Sequence, residues 1–420
     1  MSQPKNLTAS NLSPEIRQYL LVTGNYWAFT LTDGALRMLV ILHFHALGYS
    51  PLQIAMLFLF YEIFGVITNL FGGWLGAHLG LNQTMNIGLG LQVCALAMLL
   101  VPAVMLTLPW VMAAQAFSGI AKDLNKMSAK SSIKLFVPAD TEGSRYQKTL
   151  YKWVAILTGS KNALKGAGFF MGGALLSLIG FQGAILAMAT TLFAVCIFSL
   201  LKLEKDLGKT KNKPKFTEIF SKSKAVNALS AARLFLFGAR DVWFVVALPV
   251  FLVSQFNWSH TEVGSFLASW VILYGLIQSI APRLTQRPFT NNKLASQTPD
   301  GQTAFAWAAT LALPPLAIAL ALYYDFHPEW SLLAGLLIFG GVFAVNSSLH
   351  SYLIVSYARE DGVSLDIGFY YMANAMGRLI GTVLSGGLFQ AYGLEACLLV
   401  STLFIILAAL ISLRLPKHAT

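Results

Sequence analysis

Lys122, Lys126, Lys130 and Lys134 recur at every fourth residue, and Lys161 and Lys165 repeat that spacing in the next apolar stretch. Residues four apart share one helix face. Two successive helices therefore each present a row of ammonium groups, part of it inside a hydrophobic segment. Charge in hydrocarbon is costly and marks function. The chemistry such a cluster suits is the holding of an anion. Lysine supplies a movable point charge, and arginine the bidentate fork that matches an oxyanion. The apolar stretches hold seven such cations: Arg37, Lys122, Lys161, Lys165, Arg233, Arg240 and Arg378. Against them stand four acids, Asp33, Glu62, Asp123 and Asp241. Complete pairing leaves three cations over, and a polyanionic substrate in a wet cavity resolves that excess. The substrate-binding candidates are Arg37, Lys122, Lys161, Lys165, Arg240, Asn374 and Arg378.

Each of these residues has a plainer use. Arg37 either faces substrate or pairs with Asp33 one turn away. Arg240 and Asp241 are adjacent and point to different faces, which argues against simple pairing. Arg378 either meets substrate or bonds backbone in a glycine-rich helix. Arg233 reads as an interfacial anchor. Lys126, Lys130 and Lys134 read as a basic cytoplasmic extension facing lipid headgroups. Asp33, Glu62 and Asp241 are the candidates for proton coupling, since a buried carboxyl beside a movable cation can exchange a proton for substrate; permanent salt bridges are the alternative. His43 and His45 read as interfacial packing near the outer end of the first span rather than a proton relay, and a polar cavity lining is one of two uses open to His350. No residues group as a catalytic set, a metal site or a cofactor site: Cys94, Cys196 and Cys397 each stand alone in a separate apolar segment.

The elements that position these residues follow from composition. Of 420 residues 56% are hydrophobic and only 11% charged, with a mean hydropathy of +0.63. A soluble domain carries about a quarter charged residues. The chain is expected to be an all-α integral membrane protein, and its net charge of +11 is not a nucleic-acid signal. With about 20 apolar residues needed per span, about twelve helices are expected, at 19–46, 52–76, 84–104, 108–130, 150–179, 182–203, 225–254, 261–281, 303–324, 330–357, 363–390 and 394–415. Pro138 ends any extension of the fourth. At about 1.5 Å per residue, Asp33, Glu62, Lys122, Lys161 and Lys165 fall roughly 15–25 Å into their spans. Arg240, Asp241, Asn374 and Arg378 fall near mid-depth.

Lys and Arg avoid every odd-numbered connection and fill the even ones, so both termini are expected on the cytoplasmic side. The polar start, 1–18, reads as a cytoplasmic tail without a cleavable leader. A basic linker at 204–224 divides the chain into six-helix halves, 19–203 and 225–415, with a short tail at 416–420. A second polar linker is expected at 282–302. An echo between Tyr49–Ile54 and Trp258–Val263 fits duplication. Two halves with a site between them near the midplane is a transporter plan.

Gly73-Trp74-Leu75-Gly76-Ala77-His78-Leu79-Gly80-Leu81-Asn82, between the second and third spans, resembles the cytoplasmic loop signature of the major facilitator superfamily. The glycines fit, and Ala77, His78, Leu81 and Asn82 replace its charges. Gly159, Gly168 and Gly172 have part of the spacing of that superfamily's antiporter signature; close helix packing is the plainer use of these glycines and of Gly166 and Gly173. Longer stretches, RQYLLVTGNYWAFTLTDGALRMLVILHFHALGYSPLQIA, SGIAKDLNKMSAKSSIK, TGSKNALKGAGFF and FYYMANAMGRLIGTVLSGG, resemble the ArsJ-type organoarsenical efflux permeases. That resemblance implies a multi-pass protein of the bacterial inner (cytoplasmic) membrane. It implies export of 1-arseno-3-phosphoglycerate, a product of glyceraldehyde-3-phosphate dehydrogenase acting with arsenate, and hence arsenate resistance. It also implies spans one, four, seven and ten around the cavity.

The residues alone support an anion transporter, expected to work as a monomer with a small anionic substrate, the lipid bilayer and no nucleic acid as partners. An organophosphate or inorganic phosphate antiporter remains the alternative. An integral-membrane enzyme lacks a nucleophile, acid–base pair or metal cluster here, and thiolate-based arsenite transport lacks clustered cysteines.

Overall fold

The computed structural model describes residues 14–49, 57–136, 143–204, 223–258, 260–285, 299–359 and 363–416. The outer parts of both tails, most of the linker expected at 204–224, Pro138 and residues 286–298 lie outside the described residues. Among the described residues there are twelve long helical rods. In the first half they are α1 (Pro14–Ala46), α2 (Leu59–Leu79), α3 (Leu81–Met98) and α4 (Leu108–Phe136). Then come α5 (143–179) and α6 (181–202), the two arms of Gly143–Lys202, which bends where Gly180 takes φ 69°. A left-handed turn of this kind costs glycine little and other residues more.

The second half opens with α7 (Lys224–Phe256), interrupted at Val245–Val246. It continues with α8 (His260–Leu284), α9 (Gly301–Tyr323) and α10 (Pro328–Tyr357). It closes with α11 (363–392) and α12 (394–412), the arms of Val363–Ser412, bent at Gly393 with φ 80°. Several boundaries differ from the sequence expectation: α1 already starts at Pro14, within the expected tail, α3 ends at Met98 and α5 starts at 143. α4 runs to Phe136 rather than stopping near Lys130. α8 continues through Pro282, expected to open a linker, to Leu284. α9 is broken at Ala312, just before Pro314 and Pro315, where proline withholds a donor from the helix ladder.

Among the described residues six helices are long and apolar enough to cross a membrane by length and composition: Tyr146–Lys202, which spans α5 and α6, then α7, α8, α9 and α10, and Val363–Ser412, which spans α11 and α12. Polar residues dilute the apolarity of α1 and α4: the former carries Asp33 and Arg37, the latter Lys122 to Lys134. Within each half the first rod packs against the fifth, α1 on α5 and α7 on α11. Across the halves α2 packs on α11 and α5 on α8. Small residues allow the close approaches. A Cβ on Gly34 would stand 2.6 Å from the Lys165 carbonyl oxygen, and one on Gly168 2.5 Å from that of Leu31. Gly172 closes on Ala35 of α1, and Gly159 and Gly166 close on Gly275 and Ile272 of α8. Gly173 meets only the Leu42 side chain, at 3.7 Å, so it is not part of the tight seam.

Hydrogen bonds between the halves run from mid-depth to the end that carries the termini. Tyr352 and Ser356 of α10 donate to Gln147 Oε1 of α5 at 2.9 and 3.3 Å. Thr285 donates to Tyr151 Oη at 3.1 Å, Lys134 to the Ala358 carbonyl, and Asn162 to Gln278. Gly73, in the loop-signature stretch, abuts Ser364 and Gly368 of α11. The halves are thus sealed together at the termini end.

Candidate functional site

A cavity of about 290 Å³ opens between the halves. Its wall draws on α1, α2, α4, α5, α7, α8, α10 and α11. The tight α1–α5 seam at Gly34 and Gly168 sets Asp33 beside Lys165, at 3.8 Å. Tyr61 Oη donates to the same carboxylate at 2.8 Å. Arg37, one turn along α1, reaches Glu62 of α2 at 3.3 Å instead of pairing with Asp33. Its guanidinium lies over the Phe58 and Tyr61 rings at 4.9 and 5.1 Å. The intrahelical Arg37–Asp33 pair left open by the sequence does not form, because each partner finds a better-placed ion on another helix.

Glu62 is shared. Arg378 of α11 reaches it across the halves at 3.1 Å and holds Asp241 of α7 at 3.0 Å. Asp241 is fully buried and also takes Arg240 at 2.5 Å. Their adjacency argued against that pair. The guanidinium arm is long enough to fold back to the carboxylate, which faces the α7–α11 seam, where a Cβ on Gly381 would stand 2.6 Å from the Gly238 carbonyl oxygen. A continuous chain results: Arg37, Glu62, Arg378, Asp241, Arg240. Asp123 on α4 is flanked by Lys122 at 3.7 Å and Lys126 at 2.5 Å. Lys122 also stands 3.8 Å over the Tyr61 ring.

Two expectations are overturned. Lys126 and Lys130 do not face headgroups. Both line the cavity, over the Tyr371 ring of α11 at 4.5 and 5.5 Å. Lys130 is 3% exposed and donates to Thr158 Oγ1 at 2.5 Å. Lys134 is half-buried and bonds the Ala358 carbonyl of the opposite half. Since α4 stays helical to Phe136, the row continues inward along the half–half interface. Nor is Arg233 an interfacial anchor. It is 3% exposed, lines the cavity, and donates to Asn374 Oδ1 at 2.9 Å and the Ser347 carbonyl at 3.3 Å. Asn374 therefore sits on the wall as an acceptor for Arg233.

Lys161 and Lys165 both line the cavity. Lys161 has no hydrogen-bond or ion-pair partner among the described residues. His43 stacks on Phe181 at 4.0 Å, as packing. The His45 side chain lies outside the described residues. His350 is fully buried and off the cavity wall, so it is no lining residue. Cys94, Cys196 and Cys397 are free thiols on α3, α6 and α12.

The structure thus gathers nine cations around one cavity: Arg37, Lys122, Lys126, Lys130, Lys161, Lys165, Arg233, Arg240 and Arg378. Four carboxylates accompany them, Asp33, Glu62 and Asp123 on the wall and Asp241 just behind it. The net surplus of five positive charges within a helical bundle exceeds what internal pairing relieves. Residues not singled out from sequence as site residues include Lys126, Lys130, Arg233, Thr158 and Tyr371. The four-residue lysine spacing runs through the first two, but a fourth span ending near Lys130 assigns them to headgroups rather than to the cavity.

A model of the Major Facilitator Superfamily matches residues 20–299 and again 235–420. A search of curated proteins returns no match. Among solved structures the fold is similar to the human organic anion transporter MFSD10 (TETRAN), with a TM-score of 0.72 at 14% identity over 96% of this chain and 100% of that one. A bacterial homologue of the iron transporter ferroportin in its outward-facing state gives 0.71 at 15%, over 95% and 99%. The E. coli fucose:proton symporter FucP gives 0.70 at 11%, over 96% and 100%. Identities this low speak of fold alone. The two-half helical architecture, its apolar rods and the match over nearly the whole sequence lead to one conclusion: the chain belongs to the Major Facilitator Superfamily, and is a multi-pass membrane transporter.

Proposed function

We propose that this transporter carries a small phosphorylated organic anion, and that its substrate is an arsenylated phosphoglycerate of the 1-arseno-3-phosphoglycerate type, exported to give arsenate resistance. The observation that carries the reading is the surplus of five cations around a single cavity between the halves. Such a surplus is costly in a bilayer unless an anion compensates it. A compound with a phosphate at one end and an arsenate ester at the other supplies several negative charges in a body small enough for about 290 Å³. The arsenical identity draws on the resemblance of four long stretches to the ArsJ-type permeases, and with it the functional link to glyceraldehyde-3-phosphate dehydrogenase, which makes the compound.

In this reading Arg37, Lys122, Lys161, Lys165, Arg240, Asn374 and Arg378 contribute to substrate binding, joined by the newly located Lys126, Lys130 and Arg233. The protein sits in the bacterial inner membrane as a monomer, with both termini cytoplasmic as the Lys/Arg distribution requires. The seal at the termini end then makes the structure outward-open. Glu62 is the proton carrier best placed to couple transport, because it alone of the four carboxylates bonds both halves, through Arg37 and Arg378. Protonation would release Arg378 from the opposite half. Asp33 and Asp241 bond within their own halves.

Inside-out membrane vesicles containing the protein test the reading. They are supplied with glyceraldehyde-3-phosphate, NAD and the dehydrogenase, with labelled arsenate or labelled phosphate. Accumulation that requires arsenate and the complete mixture is expected. Uptake of phosphate or phosphoglycerate without arsenate would instead make the protein an organophosphate or phosphate antiporter.

A further inference from the structure

The nine cavity cations are not equivalent. Six of them touch a carboxylate: Arg37, Lys122, Lys126, Lys165, Arg240 and Arg378. Lys130, Lys161 and Arg233 have no carboxylate partner among the described residues. These three belong to one neighbourhood. Thr158, which receives the Lys130 ammonium, lies three residues before Lys161 on α5. Arg233 and Lys161 are both charged neighbours of Lys130, which stands between them; Lys161 is flanked as well by Lys165, Lys126, Arg378 and Lys122. Opposite them, the Tyr370 and Tyr371 rings of α11 lie 5.0 Å apart; Arg233 sits over the first at 5.2 Å and Lys130 over the second at 5.5 Å. Three like charges have been brought together from α4, α5 and α7, two of them on side chains only 3% exposed. Like charges this close repel in the empty protein. Hydroxyl, amide and ring-face contacts hold Lys130 and Arg233 in position without neutralising them.

We infer that Lys130, Lys161 and Arg233 form a subsite for one phosphate-type oxyanion, while the Arg37–Glu62–Arg378–Asp241–Arg240 chain, three guanidiniums to two carboxylates, is an ion-paired link between the halves. The inference rests on the anion-transport reading and divides its site in two. The triad draws on both halves, Lys130 and Lys161 from the first and Arg233 from the second. A bound oxyanion therefore bridges the halves at a place where, in the empty protein, ring-face contacts with Tyr371 are set against the mutual repulsion of the cations. The ligand class is a phosphoryl or arsenyl group bearing two negative charges. A carboxylate, with one charge and two oxygens, satisfies the triad incompletely.

The test is ligand-induced thermal stabilisation of the purified full chain, with 3-phosphoglycerate, inorganic phosphate and glycerate as probes. Wild-type protein is expected to be stabilised by 3-phosphoglycerate and not by glycerate, which has the same carbon skeleton without the phosphate. Lys161→Met breaks no described contact, so its fold is preserved. It is expected to weaken 3-phosphoglycerate binding about tenfold to a hundredfold, the effect of removing one charge-assisted contact. Its unliganded melting temperature should be unchanged or higher, because a repelling charge is gone. A merely structural lysine would lower it. Lys130→Gln should behave likewise, and Lys130→Arg should restore binding; exposed Lys152, changed to Gln, should leave it unchanged. Equal stabilisation of wild-type, Lys161→Met and Lys130→Gln proteins by 3-phosphoglycerate overturns the triad and leaves anion transport standing. Stabilisation of the wild type by neither phosphorylated probe overturns both.

Discussion

At the scale of single residues, the charges sort by partner rather than by depth. Among the described residues, Arg378 is the one arginine that holds carboxylates of both halves, Asp241 and Glu62. Arg378→Ala removes that link and leaves Glu62 to Arg37 alone. Transport in vesicles should fall at least tenfold, since breaking a buried ion pair by deleting one partner costs about 3–5 kcal/mol, while the protein still reaches the membrane. Full activity would remove Arg378 from the site. Glu62→Gln addresses coupling. A neutral group there can carry no proton, so counterflow exchange should persist while accumulation driven by a pH gradient is lost. An unchanged gradient-driven uptake would eliminate Glu62 as carrier. Lys126 and Lys130 show where single-residue reading from sequence stops. Their spacing put them on the face of Lys122, but headgroup and cavity are equally polar surroundings for a lysine. Only the course of α4 to Phe136, against the second half, decides between them.

At the scale of elements, the site depends on how closely helices approach. The α1–α5 seam places Lys165 against Asp33, and it exists because Gly34, Gly168 and Gly172 carry no side chain. Gly168→Val puts a branched side chain where a single Cβ already lies 2.5 Å from the Leu31 carbonyl oxygen. Helix separation should follow, with a stability loss of about 1–3 kcal/mol or more from overpacking. The measurement is the melting temperature of the purified protein. A control at Gly173, where a Cβ meets only Leu42 at 3.7 Å, should tolerate alanine. An equal response at both positions would show that the seam does not set the packing. The glycine pattern was visible in sequence; which glycines face a backbone was not, because the same small residue serves a seam, a bend such as Gly180, or an open surface.

At the scale of the whole molecule, alternating access needs the two halves to part at one end while they close at the other. The closed end is tied by Gln147, which accepts from Tyr352 and Ser356. Gln147→Ala removes two hydrogen bonds of about 1 kcal/mol each and should shift the population about tenfold or more toward the form open at the termini end. A Thr158→Cys reporter, in a background without the native cysteines, should then react several-fold faster with a membrane-impermeant thiol reagent added on that side. An unchanged rate would mean that the seal lies elsewhere.

The sequence by itself determined the class and much of the plan. Long apolar segments must become helices in a bilayer, because the backbone has no other partner for its polar groups. The scarcity of charge made the remaining charges conspicuous, so Asp33, Glu62, Lys161, Arg240 and Arg378 could be picked out as interior groups. Tertiary structure alone decided the pairing. Arg37 chose Glu62 over Asp33, Arg240 chose Asp241 despite its adjacency, and Arg233 turned inward to Asn374. The physical reason is that helical periodicity fixes only which face a side chain leaves from. Which ion it meets depends on the neighbouring helix, and long cationic side chains reach several candidates at nearly equal cost.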